Sequence, residues 1–192
     1  MALLILGLLI FLGAHSTRLV AEGWRQRQLA RFGTGRWKAM MAAVSIVGFV
    51  LLVWGFGLAR QQPTLLYVPP TGLRHVNELL TVIAFVLLAA AYVPRNHFKA
   101  ALGHPMTTAI VVWATGHLLV NGMLHDVLLF GAFLAWAAIN LAVSRRRDRA
   151  AGIIHAQGTL GGDALALLIG IAAWVAFAFW LHARWIGADP FA

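Results

Sequence analysis

The sequence predicts an all-α, polytopic integral membrane protein, a bundle of about six transmembrane helices. Three observations predict it. Of 192 residues, 61% are hydrophobic and only 11% charged, against about 45–50% and about 25% in an ordinary soluble domain. Six apolar runs approach or reach the about 20 residues needed to cross about 30 Å of hydrocarbon. The basic residues, which give a net charge of +9, concentrate between alternate runs. Strand-like alternation is absent, which excludes a β-barrel. No internal repeat breaks the chain, so residues 1–192 read as a single domain.

The first run, Ala2–Ala21, holds His15 and Arg18. No Lys or Arg precedes it and a basic cluster follows. That order suits an uncleaved anchor with its N-terminus outside, rather than a cleaved signal. The segment Glu22–Lys38 is basic and carries Trp24 and Trp37, a composition that suits an interfacial amphipathic helix. Ala39–Ala59 is the second span. Arg60–Gly72, with Pro63, Pro69, Pro70 and Tyr67, is an external loop. Leu73–Val93 is the third span, with Glu78 near its start, and Pro94–His104 is a short loop. Pro105–Asn121 is the fourth span and Asn121–His125 a tight turn. Val127–Val143 is the fifth, and the run Arg145–Arg149 stops it. That run reads as a topology signal rather than a nucleic-acid site. Ala164–Ala183 is the sixth, opened by Asp163 as a cap on the helix dipole. Gly7, Gly13, Gly48, Gly55 and Gly57 allow close helix approach.

Counting basic residues by side gives the orientation. If all six runs cross, Arg18, Arg25, Arg27, Arg31, Arg36, Lys38, Arg95, Lys99, Arg145, Arg146, Arg147 and Arg149 share one side. Only Arg60, Arg74 and Arg184 lie on the other. Both termini are then periplasmic, in a bacterial inner membrane.

Without cysteine the chain holds no disulfide, thiolate zinc site or iron–sulfur cluster. Eight histidines remain. His97 and His155 fall in loops, and His125 and His182 at outer helix ends, where solvated or interfacial roles suffice. His104 adjoins Pro105 near the inner surface, and His75 lies near the outer surface beside Asn77 and Glu78. His15 and His117 are deep. At about 1.5 Å rise per residue, each lies a few ångströms from the midplane, on oppositely directed helices. Zinc normally wants three or four protein ligands, and no close His-x-x-x-His pair exists here. Two imidazoles with Gly13 and Gly116 nearby suit a flat porphyrin; the alternative is that each ring makes a helix–helix hydrogen bond. Arg18 and Arg25 on one side, or Arg74 on the other, are candidate propionate donors. Arg74 and Glu78 are four apart and suit an ion pair better than a proton-transfer role. His75, Glu78, His104 and Asn121 are candidates for orienting the ligands.

Several runs carry a resemblance: Leu8-Leu9-Ile10-Phe11-Leu12-Gly13-Ala14-His15-Ser16, Gly33-Thr34-Gly35-Arg36-Trp37-Lys38, Leu73-Arg74-His75, Gly103-His104-Pro105-Met106, Trp113-Ala114-Thr115-Gly116-His117 and Phe177-Ala178-Phe179-Trp180-Leu181-His182. Over nearly its whole length the chain resembles the NnrU family of bacterial membrane proteins. That family is linked to nitrite and nitric oxide metabolism in denitrifying bacteria. Its plant and cyanobacterial relative is the 15-cis-zeta-carotene isomerase, a membrane haem b enzyme.

The resemblance implies bis-His haem b on His15 and His117. It also implies either a role in denitrification or cis–trans isomerisation of a lipid-soluble polyene, with a polyene or nitric oxide as ligand. One position departs: the plant enzyme's cysteine, three residues before the second histidine, is Ala114 here, so ligand exchange through that thiol is lost. A non-enzymatic haem sensor or accessory factor is the alternative. His104-Pro105 also resembles the Arg-His-Pro motif of S-adenosylmethionine-dependent membrane methyltransferases, but Gly103 replaces the arginine. A transporter is disfavoured, since paired helix interruptions are not evident.

Overall fold

The computed structural model describes residues 1–191. In chain order its helices are α1 (Ala2–Val20), α2 (Glu22–Ala59), α3 (Leu73–Tyr92), α4 (His97–Leu102), α5 (Pro105–Val120), α6 (Leu124–Ala150) and α7 (Leu160–Ile186). Five of them, α1, α2, α3, α6 and α7, are long and apolar enough to cross a membrane. The predicted fourth span, α5, has 16 residues, about 24 Å of helix. Pro105 starts it at a position where a missing N–H costs nothing, and Asn121 leaves it in extended geometry. Large apolar side chains point outward, as with Ile46 (62% exposed) and Leu168 (68%). A lipid solvent removes the penalty that water would impose on such a surface. The chain is a multi-pass membrane protein.

The chain forms two compact units, Met1–Val68 with Gly122–Trp136, and Pro69–Asn121 with Ala137–Ala192. In the first, α1 and α2 run antiparallel at very close range. Gly7 faces the Leu52 backbone, Gly55 faces Leu4, and a Cβ on Gly48 would lie 2.7 Å from the Phe11 nitrogen. These three glycines have the predicted role. Gly13 and Gly57 do not, because their missing side chains face open space. Leu4, Leu8, Leu52 and Ala59 form the core, with Leu128, Leu129 and Phe133 of α6 against it. The basic segment Glu22–Lys38 is helical as predicted but kinked: the helix breaks inside it, and only the part after the break runs on into the second span. The joint is Gly33, at φ 76° and ψ 161°, a backbone that residues with a Cβ rarely adopt. Across it Trp24 and Trp37 pack edge to face, their ring centres 5.5 Å apart. The loop after α2 is pinned where Leu65 and Met123 bridge, with the Leu66 N–H donating to Gly122 O at 2.9 Å.

In the second unit α3 runs antiparallel to α5, joined through Ala84, Leu87 and Ala109. α7 packs on α3, where Trp174 Nε1–H donates to Thr81 Oγ1 at 3.0 Å. The loop before α5 contains α4. Its cap is Asn96, 1% exposed, which accepts from Lys99 N–H at 2.7 Å and donates to the carbonyls of Ala90 and Val93.

Two expectations are corrected and one is refined. Arg145–Arg149 does not end α6, which continues through it to Ala150, because arginine is a good helix former. Asp163 lies in the first turn of α7, where it meets the helix dipole as expected, but the N-cap itself is Thr159, its Oγ1 accepting from Gly162 N–H at 3.1 Å. The last helix does not stop at Ala183. It passes through a π-turn at Phe177–Leu181 and continues to Ile186.

Candidate functional site

His15 sits on α1, one turn after Phe11. Its Nδ1 lies 2.7 Å from the Phe11 carbonyl, which can only accept, so Nδ1 carries the proton. The ring packs on Phe11 at 4.4 Å between centres and meets Trp136 edge-on at 6.1 Å. Trp136 Nε1–H donates to Ser16 Oγ at 3.1 Å, and Ser16 donates to the Leu12 carbonyl at 2.7 Å. Gly13 opens on a groove of about 380 Å³, lined by Leu8, Leu9, Leu12, Ser16, Leu128 and Ala132 among others.

His117, in the last turn of α5, repeats the arrangement. Its Nδ1–H donates to the Trp113 carbonyl at 2.9 Å and its ring lies 5.1 Å from that of Trp113. The two stretches share a pattern of an aromatic, three residues and then histidine. Each therefore fixes the same tautomer, with the lone pair on Nε2. Gly116 does not make room for a flat ligand as expected. A Cβ there would lie 2.6 Å from Asn77 Oδ1, so this glycine brings α3 and α5 together.

The remaining predicted residues divide. Asn121 donates from its side chain to the His117 carbonyl at 2.9 Å, which ties off the end of α5. His75 and Glu78 lie on the first turns of α3, at the membrane end where Asn77 meets Gly116. There Glu78 pairs with His75 at 3.3 Å and not, as expected, with Arg74. One turn of helix brings His75 to Glu78 as readily as it brings Arg74, at three residues instead of four. His104 lies at the opposite end of α5, 13 residues and about 20 Å of helix from His117. Its Nε2 is 2.9 Å from Asp148 Oδ2, which also meets His155 Nε2 at 3.3 Å. It therefore does not orient His117. Arg18 follows His15 by one turn and acts electrostatically on Glu22, which Arg25 pairs at 3.0 Å.

Two histidines differ from expectation. His125 is buried, 5% exposed, edge-on to Phe56 at 5.2 Å and 3.6 Å from Asp126. His182 is an electrostatic neighbour of His117, and its Nδ1–H donates to the Ala188 carbonyl at 2.7 Å. Its placement after a π-turn, which no sequence pattern announced, hid that relation. Among the described residues no three His, Asp or Glu side chains form a metal-holding group.

No curated protein and no solved structure matches this chain. A family model does, described as NnrU protein, over residues 3–190. With nearly every residue matched, the chain belongs to the NnrU protein family.

Proposed function

We propose that this chain is a haem b protein of the bacterial inner membrane, in which His15 and His117 would hold the iron. One observation carries the reading. In both residues the carbonyl four positions earlier takes the Nδ1 proton, at 2.7 and 2.9 Å. That sets both rings in the tautomer that metal-bound histidines are normally held in, with Nε2 the unprotonated nitrogen. The donor set suits the group: neutral imidazole is a common axial ligand of haem iron.

The chain's residues serve that role in distinct ways. Phe11 and Trp113 set apolar ring faces beside the two imidazoles, and His15 is otherwise exposed on its helix. The Trp136–Ser16 bond anchors α6 beside His15. Asn121 closes the helix end that carries His117. Bound haem supplies an iron centre able to take nitric oxide, pass an electron or contact a polyene. Ala114 is fully buried and offers no thiol, so the chain works without the plant enzyme's cysteine. The methyltransferase alternative gains nothing from His104, whose ring is engaged by Asp148. We place both termini in the periplasm, from the distribution of Lys and Arg.

The test is haem content of the detergent-purified protein, measured as the pyridine haemochrome. Haem b equal in number to chains is expected, with loss in His15→Ala and in His117→Ala. A haem-free protein from haem-replete cells overturns the reading. Adding nitric oxide or a cis-polyene to the reduced protein then separates ligand binding from isomerisation.

A further inference from the structure

We propose that the cleft beside the C-terminal turns of α6 binds the phosphate headgroup of an anionic phospholipid. The site lies wholly within the second unit and is independent of the haem reading. It is an open cleft of about 570 Å³ between the α4–α5 corner and residues 145–155. Arg145 and Arg149 both line it. They are four apart, hence on one helix face, and both are exposed. The carboxylate between them, Asp148, lies 2.9 Å from His104 and 3.3 Å from His155, and the two guanidiniums outnumber it, so the cleft keeps a net positive charge. Gly103 leaves room for His155: it turns the chain at φ 72°, and a Cβ there would lie 2.6 Å from His155 Nε2.

The rest of the lining is apolar. Leu102, Ile153 and Ile154 face the cleft, and Ile154 is 93% exposed. Two guanidiniums recognise a phosphodiester through paired charge-assisted bonds. Free phosphate would satisfy them but leave both isoleucines in water. A phospholipid satisfies both halves, its phosphate on the arginines and its upper acyl chain on the isoleucines. Basic pockets at membrane helix ends take anionic headgroups in this way.

The test titrates short-chain phosphatidylglycerol into the full protein in neutral detergent, with binding read by native mass spectrometry. Phosphatidylcholine and millimolar inorganic phosphate are parallel arms. Phosphatidylglycerol is expected to bind and to protect the protein against heat, while the other two do neither. Arg145→Gln/Arg149→Gln is expected to weaken phosphatidylglycerol roughly 30-fold, from about 1 kcal/mol per arginine. Arg27→Gln/Arg36→Gln, the same charge loss on α2, leaves it unchanged. Equal weakening by both pairs, or none by the first, overturns the site. Full protection by inorganic phosphate alone overturns the lipid assignment.

Discussion

Asp163 grips His97 with both carboxylate oxygens, Oδ1 taking the backbone N–H at 2.7 Å and Oδ2 the ring Nδ1–H at 2.6 Å. The first turn of α7 thereby holds the first residue of α4, 66 positions away. Asp163→Ala removes both acceptors and is expected to lower the thermal midpoint in detergent and expose the Pro94–His104 segment to protease. Asp163→Asn keeps an acceptor for the backbone N–H and is expected to fall between Ala and wild type. Equal midpoints for all three would remove the clamp from the account.

The α1–α2 contact gives a second expectation. Gly48→Val puts side-chain atoms where the Phe11 backbone lies, and overpacking of this kind costs about 1–3 kcal/mol. Gly57→Val, facing open space on the same helix, serves as the control. Thermal midpoints in detergent check the pair: a clear drop is expected for Gly48→Val and little change for Gly57→Val.

Topology gives a third. The chain contains no cysteine, so single introduced thiols report cleanly. Gln62→Cys, in the Arg60–Gly72 loop, is expected to react with a membrane-impermeant maleimide added to spheroplasts. Arg146→Cys is expected to react only after lysis. The reverse pattern would invert the proposed orientation.

The helices were largely legible because a run of apolar residues is a bulk signal that survives ignorance of packing. What was not legible depended on partners. Arg145–Arg149 marks where lipid gives way to water, but nothing in arginine ends a helix, so α6 runs on. That extension carries Asp148 to His104, and a reading that stopped the helix could not pair them. Gly116 looked like space beside His117, and only α3 shows that Asn77 occupies it. Glu78 had two candidate partners at helical spacing, and side-chain geometry chose His75. Phe11–His15 and Trp113–His117 were visible as residues, but their shared meaning lay in the backbone bond each spacing permits.

The most direct measurement is the low-temperature electron paramagnetic resonance spectrum of the oxidised protein, reconstituted with haem b. A low-spin ferric signal of two-imidazole ligation is expected in the wild type, in His75→Ala and in His104→Ala. In His15→Ala and in His117→Ala it gives way to high-spin iron or to no bound haem. Retention of the low-spin signal in either of those two single variants would contradict the assignment of that histidine to iron.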